Sequence, residues 1–122
     1  MKLVKKTTVN FNRIEPGGVC DYIAQHPGVV LLDVRTKEEF EGSSHPEHGT
    51  LKNAVNIPIQ ELENRVGELE KYKNTEILVY CSHSKRSPRA SQLLVQKGFT
   101  KVTNMEGGMS VMPDNDCVYR KK

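Results

Sequence analysis

The sequence predicts an α/β domain: one open, mostly parallel sheet of five strands with helices on both faces. Three observations carry this. Short apolar runs of strand length alternate along the chain with segments of helical spacing. The two strongest runs, at Val29 to Val34 and Ile77 to Tyr80, are near-continuously apolar, as strands covered on both faces are. A length of 122 residues, 36% hydrophobic and 27% charged, suits one core and leaves little room for two.

Each element follows from its own signal. Thr7 to Phe11 has weak strand alternation. Pro16 stands where a first helical residue belongs, Val19, Tyr22 and Ile23 follow at helical spacing, and His26-Pro27-Gly28 ends that helix. Val29 to Val34 is the second strand. Thr36-Lys37-Glu38-Glu39 has the form of a capping box and predicts a short helix through Phe40. Gly42 to Gly49 is a loop by composition. Ala54 to Ile57 is a short strand ended by Pro58. Ile59, Leu62, Val66 and Leu69 form one apolar helix stripe, read as core packing. After the strand Ile77 to Tyr80, Ala90, Leu93 and Leu94 mark a helix stopped at Gly98, a left-handed C-terminal cap. Lys101 to Met105 is the last strand. Gly107-Gly108 is a turn, since no Gly-x-Gly-x-x-Gly pattern surrounds it.

Composition excludes several classes. Leu, Ile, Val and Phe make up about a quarter of the chain, above the range of disordered sequences. The longest apolar run is Val29 to Leu32, far short of the ~20 residues of a membrane helix. A net charge of +3 without aromatic interleaving does not argue for a nucleic-acid partner. Met1 to Lys6 is basic without an apolar stretch, so no secretory signal is expected. Cys20, Cys81 and Cys117 are odd in number and widely spaced, which predicts free thiols in a reducing, cytoplasmic setting. Cys20 is expected in the core and Cys117 as a bystander thiol in a loose tail.

The chemistry concentrates after Tyr80. Cys81 follows a buried strand directly, and Ser87 and Pro88 read as the N-cap and first residue of the next helix. Cys81 to Arg86 is then a tight strand-to-helix loop whose amides can turn inward as an anion cradle. The helix dipole, Lys85 and Arg86 are expected to lower the Cys81 pKa. The physics alone predicts a cysteine nucleophile acting on an anionic substrate.

Five pieces in register resemble the single-domain rhodanese family of sulfurtransferases. They are Leu31-Leu32-Asp33-Val34-Arg35, Glu38-Glu39-Phe40-Glu41-Gly42, Asn53-Ala54-Val55-Asn56-Ile57-Pro58, Val79-Tyr80-Cys81 to Ser87, and Glu106-Gly107-Gly108. The resemblance covers residues 8–112, leaving 1–7 and 113–122 as terminal extensions, with extra residues around Ser43 to His48. It implies a rhodanese-like fold and a thiosulfate sulfurtransferase in which Cys81 is the catalytic, persulfide-carrying residue. Ser82, His83, Ser84, Lys85 and Arg86 would form the substrate-binding loop, with Asp33, Arg35 and Ser87 in support. The partners implied are a small anionic sulfur donor and a thiol, cyanide or protein acceptor, with no cofactor and no metal. Phosphatases with a cysteine cradle place Arg six positions after Cys; Arg86 comes five after Cys81, and the smaller ring suits sulfur. Many members carry Gly where this chain has Ser84, so a strained or imperfect cradle, in a catalytically weak binding or relay module, is the alternative. His83 is expected to face solvent, and His45 and His48 to lie on an ordinary surface loop.

Overall fold

The structure is a computed structural model and describes residues 10–120; the strand expected from Thr7 lies partly outside them. Seven strands are present among these residues: β1 (Asn12–Ile14), β2 (Val30–Asp33), β3 (Thr50–Leu51), β4 (Val55–Asn56), β5 (Ile77–Tyr80), β6 (Val102–Met105) and β7 (Val118–Tyr119). Four α-helices join them: α1 (Val19–Gln25), α2 (Lys37–Glu41), α3 (Ile59–Arg65) and α4 (Arg86–Gln96). Five strands form one parallel sheet in the order β1-β6-β5-β2-β4, while β3 and β7 pair antiparallel apart from it.

Pleating splits the apolar runs between two cores. Leu32, Val34, Ile77 and Val79 face α3 and α4, packing with Leu62, Leu69, Ala90 and Leu94. Leu31, Leu78 and Tyr80 face the other way, against Val19, Cys20, Met105 and Met109. Successive strand side chains point to opposite faces, so a continuous apolar run is what a doubly covered strand requires. Of the predicted helix stripe, Leu62 and Leu69 are buried and Ile59 and Val66 pack half-buried against the same core, but α3 gives way to a 3-10 segment at Val66–Tyr72. Gly67 sits in that segment, and Gly weakens an α-helix interior by ~1 kcal/mol. Gly98 closes α4 at φ +97°, in the left-handed region where glycine carries no Cβ penalty.

Two expectations are corrected here. Cys20 and Cys117 are not free: they form a disulfide, with Cα atoms 5.5 Å apart across 97 residues of sequence. Nor is the segment after Met112 loose. Cys117 ties it to α1, the Lys52 amide donates to the Cys117 carbonyl, and Leu51 and Thr50 pair with Val118 and Tyr119. Arg120 then binds the carbonyls of Glu47 and Met112 and the Asp114 carboxylate. Residues 113–120 form a strap across the face that α1 covers.

Candidate active site at the carboxyl end of β5

All five sheet strands run the same way, so their carboxyl ends share one edge. Cys81 stands there at the end of the central strand β5, with no exposed surface. Residues 82–85 turn the chain into α4, which starts at Arg86. Ser87 is therefore not the N-cap. It lies one residue inside the helix, with its hydroxyl 3.4 Å from the Cys81 sulfur and its amide donating to that sulfur at 3.4 Å. The helix entrance is capped on a thiol rather than on a serine.

Burial pushes the Cys81 thiol up. The Ser87 hydroxyl, then the amides of Ser87, Arg86 and His83, outweigh it and hold the thiol below its ordinary value. Charge contributes less than the sequence suggested: Lys85 and His83 are exposed, and the Arg86 guanidinium is engaged elsewhere. Convergent N–H groups stabilise a thiolate as any hydrogen-bonded anion is stabilised.

Glu39 holds the loop. Its carboxylate takes two bonds from Arg86, at 2.7 and 3.0 Å, and one from the Ser82 hydroxyl at 3.0 Å. It also closes the predicted capping box, accepting from the Thr36 amide while the Thr36 hydroxyl accepts from the Glu39 amide. The Arg86 pairing, foremost, keeps the Glu39 carboxyl well below the usual carboxylate range. Asp33, placed in support by the resemblance, lies at the carboxyl end of β2. Its hydrogen bonds go to Arg35, at 2.6 to 3.1 Å, and to Thr50, building a fully buried pair beneath the site. Arg35 also lies over the Tyr80 ring.

The back of the loop rests on the Gly107-Gly108 turn. The Met109 and Ser110 amides donate to the carbonyls of Cys81 and Ser82. A Cβ on Gly108, which has φ +71°, would lie 2.4 Å from the Ser82 carbonyl oxygen. Ser84 sits at φ +59°, left-handed without being glycine. Its hydroxyl donates to the Met105 carbonyl and accepts from the Asn104 side-chain Nδ2, both at 3.4 Å. Glu39, Gly108 and Asn104 are site residues that sequence reasoning missed. Only Glu39 left a signal, because a capping-box glutamate next to a predicted loop has an oxygen to spare.

The histidines of the extra loop are closer to the site than expected. A 3-10 turn at Pro46–His48 brings His48 edge-on to His83, with ring centroids 5.6 Å apart, and His45 stacks on His48 at 5.4 Å.

Known proteins resemble this chain in sequence and in fold. The family description "Rhodanese-like domain" matches residues 21–112. An uncharacterized protein of Bacillus subtilis, YqhL, is 40% identical over 78 residues, covering 64% of this chain and 56% of that protein. The thiosulfate sulfurtransferase PspE of Escherichia coli is 33% identical over 76 residues, covering 62% and 67%. Among solved structures, a rhodanese-related protein of Thermoplasma volcanium superposes with a TM-score of 0.64 at 29% identity, covering 81% of this chain and 87% of that one. The chain spans 56% and 38% of the length of two curated relatives from Bacillus subtilis.

Proposed function

The chain belongs to the rhodanese-like domain family, and from that premise we propose that it transfers sulfane sulfur through a persulfide on Cys81. The reading rests on one observation: the Cys81 sulfur is buried at the head of a strand-to-helix loop, with the Ser87 hydroxyl and amide each 3.4 Å from it. The thiolate attacks the outer sulfur of thiosulfate. An S–S bond forms on Cys81, the S–S bond of the donor breaks, and sulfite leaves with the electron pair. Cyanide or a thiolate then attacks the outer persulfide sulfur, forming thiocyanate or a new persulfide and returning the Cys81 thiolate. Inward amides stabilise the terminal persulfide anion between the two steps.

In this reading Cys81 is the nucleophile, the amides of Ser82 to Arg86 surround the transferred sulfur, and Ser87 sets the thiol pKa. Glu39 and Arg86 keep the loop in shape, while Asp33 and Arg35 build its floor. Residues 8–112 form the domain, and 113–120 strap it. The loop of six residues from Cys81 to Arg86 is small for a tetrahedral phosphate, so aryl phosphates are expected to resist hydrolysis. Ser84 favours the second reading, a slow domain that hands sulfur to a protein thiol. A thiosulfate–cyanide assay separates the two: turnover supports the enzyme, while persulfide formation without cyanide turnover supports the relay. Among the described residues no helix is long and apolar enough to cross a membrane. The expected cytoplasmic setting rested in part on free thiols, and the Cys20–Cys117 bond leaves Cys81 as the free thiol among the described residues.

A further inference from the structure

We propose that His45, His48 and His83 form a recognition rim for doubly charged sulfur oxyanions, with His48 as the specificity-determining residue. The proposal takes its substrate from the sulfur-transfer reading and adds a site that reading does not need.

The rim is held in place from several sides. His45 enters the Pro46–His48 turn at φ +52°, and Gly49 leaves it at φ +71°, where a Cβ would meet Arg120 and the Tyr119 carbonyl at 2.6 Å. Arg120 donates to the Glu47 carbonyl at 2.9 Å, and the strap carrying Arg120 is fixed through Cys117 to α1. His48 is thereby pressed against His83, which belongs to the Cys81 loop. The extra residues of Ser43 to His48 thus place imidazoles beside the sulfur-carrying loop.

Two polar atoms here are buried without a partner: Nδ1 of His48 and Nη1 of Arg35. Arg35 has no exposed surface at all. A buried polar atom left without a partner destabilises a fold by ~1–3 kcal/mol; Arg35 Nη1 can only donate, and His48 Nδ1 donates once its ring is protonated, so the pair suits an acceptor-rich ligand. Metal chemistry is a poor fit, because among the described residues no three ligating side chains converge on one position.

Charge points the same way. Burial first, then His45, His83 and Arg35, push the proton off His48; Glu47 alone draws it on. Glu47 lies 3.8 Å from His48, is shared with His45 at 3.6 Å, and is mostly exposed. Of the inner carboxylates, Glu39 is committed to Arg86 and the fully buried Asp33 to Arg35. The rim imidazoles therefore face one exposed carboxylate, Glu47, and the central imidazole is kept neutral. A dianion reverses that balance: it supplies oxygens to the unpartnered donors and favours the protonated imidazole. Its binding takes up a proton, so affinity falls as pH rises. A singly charged donor gains less.

The test uses the full chain with Cys81→Ser, which binds but cannot form a persulfide, so that binding is read without turnover. Thiosulfate and, separately, singly charged thiocyanate are titrated by calorimetry from pH 5.5 to 8.5, and the imidazole resonances are followed by NMR. Thiosulfate is expected to raise the His48 titration midpoint and to bind about tenfold more tightly at the acid end. Adding His48→Gln should remove that pH dependence. Adding His83→Gln, at an exposed position, should weaken it, and His26→Gln, remote from the rim, should leave it intact. Binding that is independent of pH and indifferent to both rim variants overturns the proposal. If the parent chain forms no persulfide while this binding pattern holds, the sulfur-transfer reading falls and the rim stands.

Discussion

Replacing Ser84 by glycine and, separately, by alanine tests how the cradle is held. Ser84 has φ +59°, and a non-glycine residue there costs ~1–2 kcal/mol. Its hydroxyl offsets part of this through bonds of 3.4 Å to the Met105 carbonyl and from the Asn104 side-chain Nδ2. At that length each belongs at the low end of the usual range, about 0.5 kcal/mol. Ser84→Ala keeps the backbone strain and loses both bonds, so it should destabilise by about 1 kcal/mol. Ser84→Gly loses the same bonds and the strain, but adds ~0.4–1 kcal/mol of unfolded-chain freedom. The glycine variant should therefore lie close to the parent and about 0.5–1 kcal/mol above the alanine variant in urea unfolding. Relief of 1 kcal/mol passed wholly to the transition state would raise thiosulfate turnover about fivefold, so the glycine variant should gain a few-fold at most. An alanine variant as stable as the glycine variant would refute the strain argument. Glycine turnover at or below the parent's would show that Ser84 does not limit the reaction.

Ser87→Ala should raise the Cys81 pKa, seen as slower iodoacetamide alkylation near neutral pH, while Lys85→Ala leaves it nearly unchanged; the reverse order would return the activation to the cations. Glu39→Gln should lower stability by about 2 kcal/mol at pH 7, as expected for charge-assisted bonds lost in a partly buried site. The depressed Glu39 carboxyl contributes above the ordinary carboxylate pKa, and that contribution fades as pH falls below it, so the gap between parent and variant should narrow in acid denaturation curves. Reduction of Cys20–Cys117, or Cys117→Ser, should cost roughly 2–5 kcal/mol in thermal or urea unfolding, with Cys81 still alkylated at its former rate. Gly108→Ala should abolish the loop's alkylation profile, because its Cβ has no space beside the Ser82 carbonyl.

Signals confined to one segment were legible in the sequence. The Thr36–Glu39 capping box appears with both of its bonds, and the apolar runs of β2 and β5 pair as neighbours in one parallel sheet. Cys81 lies where a strand-to-helix loop was expected. Features that depend on distant partners were not legible. The Cys20–Cys117 bond spans most of the chain, and pairing cannot be deduced from spacing. The strands β3 and β7 have two residues each, too few for any period to register. Ser87 looks like a cap because its chemistry is that of one; the helix begins at Arg86, two residues before Pro88, and the Ser87 hydroxyl and amide are both engaged by the Cys81 sulfur. Glu39 was assigned to its own helix, since the sequence does not show that Arg86 comes within 2.7 Å of it. The imidazoles of His45, His48 and His83 meet only because the strap and the loop around Ser43 fold toward β5.

The central claim, that Cys81 carries sulfur, is tested most directly by intact-protein mass spectrometry after incubation with thiosulfate and removal of excess donor. The parent chain should gain the mass of one sulfur atom and lose it on addition of cyanide with release of thiocyanate. Cys81→Ser should gain nothing, while Cys117→Ser should still gain it. A sulfur adduct that persists in Cys81→Ser, or a parent chain that never gains one, would contradict the account.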